Sequence, residues 1–156
     1  VYTGLGSIGW LPDLDRWAAV VASLVRPGGL VYLAEFHPFQ WVFADEDLTV
    51  AYPYFDEGAM ELESSGSYGS EGADGAGADG VVATVHNRTV VWNHPLASVL
   101  QALLGLGLAL EHYAEHDWTL FARWPFLEHR PGHGYVMPAG RPSLPMMYSS
   151  RWRAPA

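Results

Sequence analysis

The stretch from Asp13 to Ala34 constrains this chain most, because it sets a helix, a breaker and an apolar strand one directly after another. From Asp13 or Asp15 onward, Leu14, Trp17, Ala18, Val21, Leu24 and Val25 recur at spacings of three and four, which predicts an amphipathic helix. An Asp near its start suits a helix N-terminus, and Arg26-Pro27-Gly28-Gly29 supplies the stop. Leu30-Val31-Tyr32-Leu33-Ala34 is apolar on both faces, the pattern of a strand buried inside a parallel sheet. Val1-Tyr2-Thr3 reads as the end of an earlier strand and Gly4 to Pro12 as a loop. Strand, helix and strand in that order predict a right-handed crossover unit of an α/β fold.

Composition narrows the rest. A chain of 156 residues holds one domain rather than two. The formal net charge of −9 disfavours nucleic acid as a partner, since phosphate contacts need a basic footprint. No cysteine is present, which excludes disulfides and thiolate metal sites and makes a reducing cytoplasm the expected compartment. The longest apolar stretch, Leu96 to Leu110, is too short and too glycine-broken to span a bilayer, so no membrane role is expected. No basic region precedes the first apolar residues, as a signal peptide would require. A chain that opens on Val1 reads as one beginning partway through a larger protein.

Ten of the 17 acidic residues lie between Asp45 and Asp79, and no basic residue occurs from Pro27 to Asn87. Within that span, Ser64 to Gly80 is nearly all Gly, Ser, Ala and acid, a composition that buries too little apolar surface to order itself. Residues 44–80 are therefore expected to be an inserted lid or flexible acidic loop within a single domain covering 1–156. Val81 to Trp92 alternates as a strand does. Asn93 is placed to cap a helix that starts at His94-Pro95, runs to about Leu104, and is closed by Gly105 or Gly107. Ala109 to Asp117 and Met146 to Arg153 read as strands, separated by a segment rich in Pro and aromatic residues from Trp124 to Pro145. No internal repeat is evident.

Tyr2-Thr3-Gly4-Leu5-Gly6-Ser7, Trp10-Leu11-Pro12-Asp13-Leu14, Arg26-Pro27-Gly28-Gly29 before an apolar strand, Glu35-Phe36-His37-Pro38, Trp92-Asn93-His94-Pro95 and the tail from Pro138 to Trp152 follow one another in a telling order. In this order they resemble the C-terminal part of the class I S-adenosylmethionine-dependent methyltransferases. The resemblance spans nearly the whole chain and rests on the order of short motifs. It implies an α/β architecture: the C-terminal half of a Rossmann-like sheet whose last strand is antiparallel. It implies methyl transfer from S-adenosylmethionine to O, N or C of a small molecule. The acidic, glycine-rich cofactor loop of that family would lie upstream of Val1, so weak or no cofactor binding is expected of this chain by itself. By the same resemblance, secondary cofactor contacts fall to Thr3, Gly4, Leu5, Gly6 and Ser7, at the carboxyl end of a strand where α/β sheets bind ligands. The expected partner, besides the small-molecule acceptor, is a second copy of the chain or the missing N-terminal half.

Other residues carry chemistry of their own. His37 follows the strand and should stand at the sheet's carboxyl edge. There a neutral imidazole can accept a proton from a hydroxyl or amine acceptor, with Glu35 as its catalytic companion. Alternatively, His37 and Pro38 turn the chain while Glu35 bonds nearby backbone. Trp41, Tyr52, Tyr54 and Phe55, with Phe43, either line a lid over an apolar acceptor, where a ring can face the sulfonium, or form the core of an inserted subdomain. His94 is either a substrate contact or part of the helix cap.

Two motifs point elsewhere. Gly4-x-Gly6-x-x-Gly9 is literally the dinucleotide fingerprint and would make the chain an NAD(P)-binding oxidoreductase domain, provided a helix starts at the glycines. Trp10, Pro12 and Asp13 delay the helix, so the helix start separates the two readings. His112-x-x-Glu115-His116 matches a zinc pattern that needs a helix; on a strand the two histidines stand about 13 Å apart, so no metal site is expected. His129 and His133, in a Pro-Gly loop, read as surface residues. A third reading is a non-enzymatic half-domain that pairs with another chain through an exposed sheet edge.

Overall fold

A computed structural model describes residues 1–55, 58–63 and 88–156. In chain order the elements are β1 (Tyr2–Thr3), α1 (Leu14–Leu24), β2 (Leu30–Phe36), β3 (Met60–Glu63), β4 (Arg88–Val91), α2 (Leu96–Leu104), β5 (Ala109–His116), β6 (Trp118–Thr119), β7 (Glu128–Arg130), β8 (Gly134–Val136) and β9 (Met147–Arg153). Two 3-10 turns, Ile8–Trp10 and Pro38–Val42, follow the carboxyl ends of β1 and β2.

The helix expected after Asp13 forms as read. The Asp13 side chain accepts the Arg16 amide, which satisfies one of the donors every helix N-terminus leaves free. The helix from Leu96 starts differently. Its N-cap is Pro95, and the Leu96 amide donates to the Tyr54 hydroxyl at 3.3 Å. Asn93, expected as the cap, instead donates its Nδ2 to the Pro53 carbonyl.

The main sheet has the order β1-β2-β9-β5. β1 runs parallel to β2, while β9 runs antiparallel to both β2 and β5, so the last strand is inserted between them. α1 and α2 cover one face. Ala18 and Val21 from α1, and Ala102 and Leu103 from α2, pack on Val31 and Trp152, and Leu33, Val99, Tyr148 and Ile8 continue that layer. A second core lies beyond the carboxyl edge, where Val42 and Phe43 meet Trp124, Leu127, Met137 and Met146. Beside it, β6, β8 and β7 form a small antiparallel sheet within a region the sequence marks only as rich in Pro and aromatics.

One expectation about β2 is corrected. It is buried on one face only, with Leu30 and Tyr32 42% and 41% exposed while Val31 and Leu33 are fully covered. The reason is topological: both described helices sit on the same side. The opposite face presents Tyr2 stacked on Tyr32, with Arg151 and Arg153 paired to Glu111. Of the expected insertion 44–80, residues 56–57 and 64–80 lie outside the described residues, as do 81–87 of the strand expected at Val81 to Trp92. The part within them includes β3, which forms a hairpin with β4 in the register Met60 to Val91. Among the described residues no helix is long and apolar enough to cross a membrane.

Candidate functional site

The carboxyl edge of β1 and β2 carries the loop Gly4 to Leu11, and Glu35 holds that loop. Its carboxylate is 5% exposed and accepts the backbone N–H groups of Gly6, Ser7 (2.8 Å) and Ile8 (3.2 Å), the Ser7 hydroxyl (3.3 Å) and the amide of Phe36 (2.8 Å). Successive amides converging on one carboxylate form an anion nest whose occupant is built into the protein. Gly6 has φ +72°, and a Cβ there would lie 3.3 Å from the Phe36 ring, so the turn requires glycine for both conformation and space. Glu35, expected beside a catalytic base, thus holds the loop in shape with both carboxylate oxygens.

The same bonds bear on the dinucleotide fingerprint. Glycine-loop recognition needs free amides at a helix N-terminus facing a pyrophosphate. Here the amides of Gly6, Ser7 and Ile8 already face a carboxylate, and the helix starts at Leu14. An incoming pyrophosphate would meet like charge, so the Gly4-Gly6-Gly9 reading loses its physical basis.

His37 is 5% exposed at the end of β2, and both ring nitrogens are engaged. Nδ1 accepts the Phe39 amide at 3.1 Å, capping the 3-10 turn Pro38–Val42, which leaves Nε2 as the protonated nitrogen facing Glu115 Oε1 at 3.3 Å. The Tyr113 hydroxyl donates to the same Glu115 oxygen at 3.0 Å, and Tyr148 meets the His37 ring edge-on. Burial pushes the His37 pKa below 6.5 against the opposing pull of Glu115. A folded pKa below the unfolded value means that the unfolded chain takes up the proton first. His37 therefore leaves stability intact above 6.5 and lowers it as pH falls from there toward the depressed folded value. Thermal unfolding followed from pH ~7.5 to ~5 is expected to show this slope, and His37→Gln to reduce it. Glu111, held low by Arg153 and then Arg151, contributes in a separate window below 4.5.

The predicted aromatic residues form no single cluster, although Phe43 and Tyr54 share the second core and the Tyr54 and Phe55 rings meet edge-on at 5.4 Å. Trp41 joins a group at the carboxyl edge: it meets Phe36 edge-on and stacks on Phe121 at 6.2 Å, and Phe36 and Phe121 meet at 5.2 Å. The Arg123 guanidinium lies over Trp41 at 5.1 Å and is fixed by Asp45 and the Phe43 carbonyl, so one cation already occupies this ring. Tyr54 packs on the second core and holds the start of α2. Tyr52 and Phe55 line a shallow pocket of about 280 Å³ with Met60 and Asn93. His94 is buried, and its Nε2 bonds the Leu11 carbonyl at 2.7 Å. With the Trp92 amide on the Gly9 carbonyl, this ties the chain before α2 to the Gly4–Leu11 loop. Thr3 lies in β1, half-buried at the near end of the loop, and Leu5 is exposed.

Sequence reasoning missed Phe36, Phe121, Arg123 and Glu115 as members of this region. Phe36 stood inside a quoted motif, and Glu115 inside a zinc pattern that the strand conformation of β5 dismantles. Nothing periodic marks Phe121 or Arg123, which contacts across nearly 80 positions bring to Trp41 and Asp45.

No family profile matches the chain, and no curated protein matches it in sequence. Solved structures do match in shape. A protein from Listeria monocytogenes assigned as an S-adenosylmethionine-dependent methyltransferase is 11% identical with a TM-score of 0.53. An S-adenosylmethionine-dependent methyltransferase from Mesorhizobium loti is 19% identical with a TM-score of 0.56. Each match covers 97% of this chain and 59% of the other, so the chain spans less than two thirds of their length. At these identities the likeness speaks for the fold alone: a mixed α/β, Rossmann-like sheet whose antiparallel last strand is set between β2 and β5.

Proposed function

We propose that this chain is the C-terminal part of an enzyme that transfers a methyl group from S-adenosylmethionine to a small molecule. The observation that carries the reading is the sheet order β1-β2-β9-β5 with β9 antiparallel, together with a loop at its carboxyl edge shaped by a buried carboxylate. Ligands of open α/β sheets bind at that edge. The residues there suit such a cofactor in part. The loop brings no basic side chain of its own that would repel a sulfonium, and Thr3, Gly4 and Leu5 leave backbone at the rim. Bound, the cofactor supplies an electrophilic methyl group.

The tasks left to the chain are orientation and exclusion of water. Glu35 keeps the Gly4–Ser7 backbone in one conformation. Phe36, Trp41 and Phe121, each half-buried, offer an apolar wall for the acceptor beside it. His37, with both nitrogens engaged, acts as a positioning residue for the turn that carries Trp41. The edge of β1 receives the remaining strands and the sheet face opposite α1 and α2 receives further helices, supplied by an upstream segment or another chain, since an α/β sheet ordinarily has helices on both faces.

Calorimetric titration tests this with the chain and with a version extended upstream, using S-adenosylhomocysteine and NAD. The extended protein is expected to bind S-adenosylhomocysteine, and the short chain to bind it more weakly than about 1 mM. Tight NAD binding by the short chain would overturn the proposal and restore the glycine fingerprint.

A further inference from the structure

Glu115 lies on β5, two strands from β2, yet its carboxylate oxygen reaches His37 Nε2 at 3.3 Å and the Tyr113 hydroxyl at 3.0 Å. Because His37 Nδ1 accepts the Phe39 amide, the imidazole must carry its proton on Nε2, the nitrogen that Glu115 faces. The alternative tautomer would set an Nδ1–H against the Phe39 N–H and leave Nε2 without a proton to donate. The capped turn, Pro38–Val42, contains Trp41, which contacts Phe36, and Phe36 packs where a Cβ on Gly6 would fall. A continuous path therefore runs from an exposed carboxylate at one side of the sheet to the loop at its carboxyl edge.

We propose that Glu115 is a positioning residue: by accepting a hydrogen bond from His37 Nε2–H it favours the tautomer whose Nδ1 caps the turn 38–42, and so fixes Trp41 against Phe36. Its importance for acceptor binding rests on the methyltransferase reading, but the tautomer selection does not. Tyr113 shares the carboxylate without touching the turn, which makes it the natural control.

The test is made on the full chain without cofactor, so its outcome is separable from that of the cofactor titration. The imidazole ¹⁵N shifts of His37 report the tautomer, and hydrogen exchange at the Phe39 amide reports the cap. In the unaltered protein the Nε2–H form should dominate and the Phe39 amide should be protected. Glu115→Ala is expected to give a mixture of tautomers and exchange about ten-fold faster at Phe39, from loss of one charge-assisted hydrogen bond. Exchange at Leu33, in the covered layer, should not change. Glu115→Gln, whose amide oxygen can accept the same proton, is expected to restore most of the tautomer preference, and Tyr113→Phe to leave both readouts unaltered. If Glu115→Ala unfolds the chain, the Gln variant and Tyr113→Phe carry the test. Unchanged tautomer and exchange in Glu115→Ala, a failure of Gln to restore, or an equal shift in Tyr113→Phe would each overturn the assignment.

Discussion

Glu35→Ala is expected to lower the unfolding free energy by about 3 kcal/mol or more, the larger of the polar effects in this protein. Three successive backbone amides, a hydroxyl and the Phe36 amide converge on this carboxylate, and Glu35 itself is buried. Each buried donor left without an acceptor costs about 1–3 kcal/mol, partly recovered where the loop can turn toward solvent. At this chain length 3 kcal/mol corresponds to roughly 6–12 °C in Tm. Glu35→Gln is the more exacting substitution. It keeps the shape but turns one acceptor into an NH₂ group that faces N–H donors, so it should recover less than half of the loss. Urea unfolding of the two variants, with hydrogen exchange at Gly6, Ser7 and Ile8, measures this. A loss below about 1 kcal/mol in the alanine variant would show that the loop keeps its form without the carboxylate. Under the proposed methyltransferase function, the same substitution in an upstream-extended protein should also abolish S-adenosylhomocysteine binding, because the rim at Gly4 to Ser7 would no longer hold one conformation.

Trp152→Ala is expected to cost about 3–5 kcal/mol, the range for removing a fully buried large aromatic side chain. Trp152 is completely covered on β9, paired to Val31 of β2 and Leu110 of β5, under both helices. Its removal leaves a cavity where α1, α2 and two strand pairs meet, and it deprives Ser150 Oγ of the indole N–H bonded at 2.8 Å. No single element can move in to fill that space without losing its contacts with the others. Trp124, equally covered in the second core, supplies the comparison. Trp124→Ala should lose a similar amount at equilibrium while leaving exchange at Val31 and Leu33 nearly unaltered, because the two cores share few side chains. Equal deprotection of β2 in both variants would show that the cores form one cooperative unit.

Much of the fold was legible in local patterns. The α1 periodicity, its Asp13 cap and the Gly28-Gly29 stop are interactions between near neighbours, which sequence records directly. The strand at Ala109 and the last strand at Met147 were legible for the same reason. The small sheet β6-β8-β7 was not, because its strands are two or three residues long and Pro and Gly interrupt any period. The candidate site was legible in part. Position at a strand's carboxyl end correctly brought Glu35 and His37 to the edge, but which partner each would meet depended on contacts 27 to 29 and 78 residues away. Four of the five substrate candidates, Trp41, Tyr52, Tyr54 and Phe55, were read with Phe43 as one aromatic cluster; Trp41 instead packs on Phe121 at the carboxyl edge while Tyr54 and Phe55 do meet edge-on, and His94, read separately, holds the loop.

By itself, then, the sequence determined the α/β class, the crossover from β1 to β2, the bounds of α1 and the end of α2, since these follow from periodicity, caps and breakers within a few residues. Only the tertiary structure decided that β9 enters between β2 and β5, that both described helices lie on the same sheet face, and that the glycine loop closes on Glu35 rather than standing open to a phosphate. Those outcomes depend on which distant side chains share a buried space. Buried donors must find acceptors wherever the packing provides them, and local sequence does not say where that is.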